Sequence, residues 1–163
     1  MALPNEKKAD PTGSKVASVS ATPTITAGLY TIHDALGGKL TFTNVCSDQA
    51  ARGIIVGATI IDKAKQLAPI DIIVFNADFT ATADADTFDP SDADLVASAK
   101  HCISVLAANY SSFSDNAMAE VECLKPFQLA DASSTLYAQM VVRGAPTYAS
   151  TSDLTLILHI LKD

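Results

Sequence analysis

The chain has 163 residues, a net charge of −7 and a sequence pI near 4.7, with 48% apolar and 18% charged residues. That length accommodates one domain with a sizeable core and leaves little room for two, and the composition is not that of a disordered chain. Eleven basic residues, scattered and outnumbered by eighteen acidic ones, exclude a nucleic-acid role resting on phosphate contacts. Apolar runs are too short for a membrane-spanning helix. The polar stretch from Met1 to Lys15 lacks the apolar segment of a secretory signal. The expectation is a soluble protein that stays in the cytoplasm or leaves by a route such as lysis.

Residues 1–24 (MALPNEKKADPTGSKVASVSATPT) carry Pro, Ser, Thr, Ala and Lys without a strong period. They read as an extended arm, either idle or ordered on a partner. Residues 25–163 read as a single β-sandwich domain in which the period is two. Lys39–Val45 alternates, with Leu40 and Phe42 on one face and Thr41 and Thr43 on the other. Gly37-Gly38 before it reads as a two-residue hairpin turn. Gly53–Ile61 and Ile70–Asn76 are dense in β-branched residues, as in strands covered on both faces.

The acidic stretch with Asp78, Asp84, Asp86, Asp89, Asp92 and Asp94 leads into one helical start. Ser91 is placed to cap it, and Asp92 and Asp94 face the positive end of its dipole. Two or three turns ending near Lys100 are expected. His101–Ala107, Ala117–Cys123, Leu136–Arg143 and Leu154–Leu161 complete the strands. In the last, Leu154, Leu156, Leu158 and Ile160 point to the core, and Thr155, Ile157, His159 and Leu161 point away.

Seven or eight strands without a βαβ rhythm predict an all-β fold: a two-sheet antiparallel sandwich, jelly-roll-like, with one short helix. An immunoglobulin order is disfavoured because the chain has no Trp.

Residues able to carry chemistry have structural readings. Clustered carboxylates suit calcium, and Asp84, Asp86 and Asp89 are weak candidates, yet the spacing does not match an EF-hand loop. A solvated acidic loop is the favoured reading. The histidines His33, His101 and His159 form no metal motif. His33-Asp34 has no G-x-S-x-G nucleophile elbow to serve. Glu120 and Glu122 share one polar strand face. Cys46, Cys102 and Cys123 read as small buried apolar residues. No catalytic residue and no cofactor are expected. Val141, Ile157 and Leu161 are apolar on nominally outward positions, which marks a partner surface unless both faces are covered within the domain.

The segment IIDKAKQLAPIDIIVFNADF, the PSDADL helix start and the closing TLYAQMVVRGAPTYASTSDLTLILHILKD together resemble capsid decoration or cement proteins of tailed bacteriophages. The resemblance spans about residues 25–163. It implies a non-enzymatic virion protein on the outer capsid surface that binds the major capsid protein and its own copies, as a dimer or trimer, with no nucleic-acid or membrane partner. The arm, through Lys7, Lys8 and Lys15, is the segment expected to reach acidic sites on the shell. Two other readings remain. One is a receptor- or glycan-binding head, for which Phe79, Tyr110, Phe113 and Tyr148 are the available aromatics. The other is an unfamiliar enzyme using His33-Asp34 or the acidic loop.

Overall fold

The computed structural model describes residues 15–46, 51–130 and 134–162. Among them are nine strands and one α-helix: β1 (Val16–Ala21), β2 (Ala35–Phe42), β3 (Arg52–Asp62), β4 (Ile70–Phe75), α1 (Asp92–Ala97), β5 (Ala99–Val105), β6 (Tyr110–Ser112), β7 (Ala117–Gln128), β8 (Leu136–Val142) and β9 (Leu154–Lys162). A five-stranded sheet has the order β1-β9-β3-β7-β6, and a four-stranded sheet the order β2-β8-β4-β5. Every pairing is antiparallel. Setting aside the short β6, first pairs with last, second with next-to-last, third with third-from-last, and the two central strands β4 and β5 with each other. That interleaving is a jelly roll.

The expected alternation of β9 is realised: Leu154, Leu156, Leu158 and Ile160 are buried while the residues between them are not. They meet Leu36, Leu40, Ile70, Ile72, Leu136 and Met140 from the opposing sheet in one core. Burying each such side chain contributes about 1.5–3 kcal/mol. No other layer is needed to close the domain.

Several boundaries differ from the sequence reading: β5 begins and ends two residues earlier, β7 runs five residues further, and three more differences follow. The arm was drawn through residue 24, but Val16–Ala21 is an edge strand paired with β9 from Val16↔Leu161 to Ala21↔Leu156. Its inward residues are only Ala17, Val19 and Ala21, too small to stand out as a core face. Gly37-Gly38 is not a hairpin. Both lie within β2, where the register with β8 shifts between Leu36 and Leu40. Gly37 has φ +71°, and a Cβ there would lie 2.6 Å from Cβ of Pro23, so the bulge needs glycine. The helix starts as expected, with the Ser91 hydroxyl accepting from the Asp94 amide at 3.0 Å, but it ends at Ala97 because β5 begins at Ala99.

The residue 76–98 connection decides which sheet face is covered. It climbs the outside of the four-stranded sheet and returns through α1. The Gln139 side chain, fully buried, pins it by donating to the Thr82 and Gly37 carbonyls and accepting from the Thr82 amide. Further on, the Ala35 amide donates to Asp86 and the Ala85 amide to Ala35. The Phe79 ring stacks on Phe75 at 3.7 Å between centroids. Lys39 pairs with Asp78, and its hydrogen bond holds that carboxyl below the usual range. Among the described residues, no segment crosses the outer face of the five-stranded sheet in the same way.

Candidate protein interaction surfaces

Two surfaces carry exposed apolar side chains on rigid backbone. The first is the outer face of the five-stranded sheet. Antiparallel register sets its residues in rows across the strands. Val16, Leu161, Ile54 and Pro126 form one row, and Ser18, His159, Gly57 and Glu122 the next. Ser20, Ile157, Thr59 and Glu120 form the third. Val16 is 58% exposed and Leu161 38%, while Ile54 and Ile157 are half-buried. The first row ends in a groove of about 390 Å³ lined by Lys15, Arg52, Ile54, Pro126, Phe127 and Leu161, among others. In the second row, the His159 ring sits between two hydroxyls, with Nδ1 at 2.9 Å from Ser18 Oγ and Nε2 at 2.9 Å from Thr59 Oγ1. It is held as a strand-to-strand strut.

The second surface is the end of the sandwich where the β1–β2, β3–β4, β5–β7 and β8–β9 connections meet. Backbone bonds lock three of these together: Tyr30 N–H to Pro146 O, Tyr148 N–H to Gly28 O, Arg143 N–H to Pro69 O and Lys63 N–H to Asp153 O. Side chains add to this, with Gln66 accepting from the Thr147 amide and Lys65 donating to the Phe113 carbonyl. On this tied end Leu29, Ile32, Leu106 and Phe113 are each more than half exposed. Single exposed apolar residues need no explanation, but four on one hydrogen-bonded end form a feature that binding partners use.

The predicted site residues fall out as follows. Ile157 and Leu161 do lie on the bare sheet face. Val141 does not, because it is 2% exposed on the face beneath the 76–98 connection. That covering was invisible to the strand alternation, which treats β8 and β9 alike. Lys15 is exposed at the groove, and Lys7 and Lys8 lie outside the described residues.

Asp84 is fully occupied by the fold. Its carboxylate accepts from the Tyr30 hydroxyl at 2.7 Å, the Gly37 amide at 2.5 Å and the Thr26 hydroxyl at 2.6 Å. Asp86 and Asp89 are exposed, and among the described residues no three His, Cys, Asp or Glu side chains converge on a point that could hold a metal ion. The Asp34 carboxylate accepts from the Thr31 amide and hydroxyl, at 2.7 and 2.8 Å, so it caps a turn and does not orient His33.

Comparison with models of known protein families gives no match, and comparison with curated proteins gives none either.

Of the four aromatics considered for glycan contact, Phe113 is exposed, Tyr110 is half-buried, and Phe79 and Tyr148 are buried. Only Cys46 is a buried cysteine. Cys102 is exposed, facing out from the edge strand β5, and Cys123 is half-buried on β7. Burial still raises both thiols above their ordinary range, which makes them poor nucleophiles at neutral pH. Of the loop-end hydrophobics, Phe113 was named in the sequence only as a glycan-contact aromatic, and Leu29, Ile32 and Leu106 were missed. They are scattered over residues 29–113, and only the topology of the connections brings them to one end.

Proposed function

We propose that this chain is a non-enzymatic structural protein of a virion, which decorates or cements the outer capsid surface by binding the major capsid protein and its own copies. The observation that carries the reading is the loop end, where Leu29, Ile32, Leu106 and Phe113 are exposed on connections of which the β1–β2, β3–β4 and β8–β9 ones are tied by backbone hydrogen bonds and the β5–β7 one by the Lys65 side chain. A rigid apolar patch binds without the entropy cost of ordering a loop. Jelly-roll domains are a recurrent architecture of viral shells, and the likeness of residues 25–163 to phage decoration proteins points the same way. A net charge of −7 keeps such a protein off packaged nucleic acid.

Purified particles provide the test. The chain is expected among their proteins, with density of its size on the shell exterior. Leu29→Asp combined with Phe113→Asp is expected to abolish attachment to assembled shells while far-ultraviolet circular dichroism stays unchanged. Absence of the chain from purified particles overturns the reading.

A further inference from the structure

We infer that residues 1–14 fold back from Lys15 and cover the outer face of the five-stranded sheet of their own chain, with Asp10 at the groove and Lys7 and Lys8 on Glu120 and Glu122. Residues 1–14 lie outside the described residues. Their starting point does not: Lys15 is exposed at the rim of the groove, with Lys162 half-buried beside it. The groove floor is apolar, from Ile54, Pro126, Phe127 and Leu161. A segment leaving Lys15 for the sheet face meets that groove first. Past it, the outward residues of β7 are Leu124, which is 78% exposed, and then the exposed carboxylates Glu122 and Glu120. Along this path the face therefore presents cations, then apolar surface, then carboxylates. The loop end that carries the proposed function lies at the far end of the sandwich and takes no part.

The segment carries charges in the complementary order. Read back from Lys15, Ser14, Gly13, Thr12 and Pro11 have the composition of a turn. Asp10 follows, then Lys8 and Lys7. Of the charged side chains Glu6, Lys7, Lys8 and Asp10, all but Glu6 then meet an opposite charge, Asp10 at the lysines of the rim and the two lysines at the two glutamates. Among the described residues neither Glu120 nor Glu122 makes an ion pair. The reach suffices. Glu122 lies in the Ser18 row, three strands across from β1, which places it about 18 Å from Lys15 at ~4.8 Å per strand and ~3.3 Å per residue. The seven residues from Lys15 to Lys8 extend up to ~23 Å. Leu3 comes four residues beyond Lys7, and Leu124 stands two residues from Glu122 on the same face, so Leu3 covers Leu124. Tethering favours this occupant over a dilute free partner, because a short linker holds the segment at a high effective concentration.

The test is zero-length carbodiimide cross-linking of the purified full chain, read by mass spectrometry on a mixture of isotope-labelled and unlabelled protein. Links from Lys7 or Lys8 to Glu120 or Glu122 are expected within one chain. No such link, or links only between differently labelled chains, overturns the inference, the second outcome assigning the face to a neighbouring copy's segment. Amide hydrogen exchange gives an independent readout. Glu120→Lys combined with Glu122→Lys changes only exposed side chains and is expected to speed exchange at residues 3–8 roughly tenfold, with circular dichroism unchanged. Adding Lys7→Glu and Lys8→Glu is expected to restore protection, since the swapped charges attract again. Amides at residues 3–8 that exchange without protection in the wild type, or charge reversals that leave their exchange unaltered, overturn the inference as well.

Discussion

Replacing Asp84 separates a structural carboxylate from a metal ligand. Its side chain accepts three hydrogen bonds that tie the acidic connection to the first turn of β2 and to the β1–β2 connection. Asp84→Ala leaves the hydroxyl of Tyr30, a residue 0% exposed, and the amide of buried Gly37 without their acceptor. A buried donor stranded in this way costs about 1–3 kcal/mol. Thr26 is exposed and turns to water at little cost. The expected loss is therefore about 4 kcal/mol.

Asp84→Asn retains a carbonyl oxygen for Tyr30 and Gly37, and the Thr26 hydroxyl can reverse to accept from the new amide. It loses only the charge assistance, about 1–2 kcal/mol. Urea unfolding followed by far-ultraviolet circular dichroism measures both, provided the slope is unchanged between variants. Calcium and EDTA are expected to leave the wild-type midpoint where it is. An alanine variant losing less than about 1 kcal/mol would refute the structural account. So would calcium stabilisation of the wild type that Asp84→Asn removes.

Gly37→Ala is expected to cost about 2–4 kcal/mol, from a left-handed backbone conformation together with the overlap on Pro23. At Gly38 nothing lies within 4 Å of an added Cβ, so Gly38→Ala in the same unfolding assay is the near-neutral control. Burial raises the phenol pKa of Tyr30, Tyr110 and Tyr148 well above the ordinary value, with Asp84 also raising Tyr30 and Asp62 the other two. A raised folded-state value means that the folded chain keeps protons the unfolded chain releases. The stabilisation is then complete below about pH 10 and falls as pH rises beyond it, by up to about 1.4 kcal/mol per pH unit for each such tyrosine. Unfolding midpoints measured with rising alkalinity, alongside phenolate absorbance, check this. Ordinary titration of all tyrosines in the folded protein would contradict it.

Legibility in the sequence followed the size of the buried side chains. β3, β4, β8 and β9 could be placed within a residue or so because Ile, Leu, Val and Met recur every second position. β1 was missed because Ala17, Val19 and Ala21 make too small a face, and Ser18 and Ser20 between them read as a linker. Gly37-Gly38 misled because a positive-φ glycine serves a bulge as well as a turn, and only the contact with Pro23 and the bond to Asp84 distinguish the two. The Ser91 cap was legible because it is local. The Asp84 hub was not, since its donors at residues 26, 30 and 37 lie 47 or more positions away.

The two closing strands show why the open sheet face needed the structure. Both alternate, and each sets an aliphatic residue on its outward side, Val141 in β8 and Ile157 in β9. Yet Val141 is sealed and Ile157 is not. What separates them is a connection some fifty residues upstream of β8, anchored by Gln139 on one strand and Asp84 in the loop. Had that connection crossed the other sheet, the same two strands would have exchanged roles without any change in their own sequences. The outward residues of a jelly roll therefore acquire their function from its longest connection. The hydroxyl-rich, partly aliphatic rows around Ile157 are what the described residues leave uncovered. A variant that detached the 76–98 connection, such as Gln139→Ala combined with Asp84→Ala, would expose a second apolar face in the same chain.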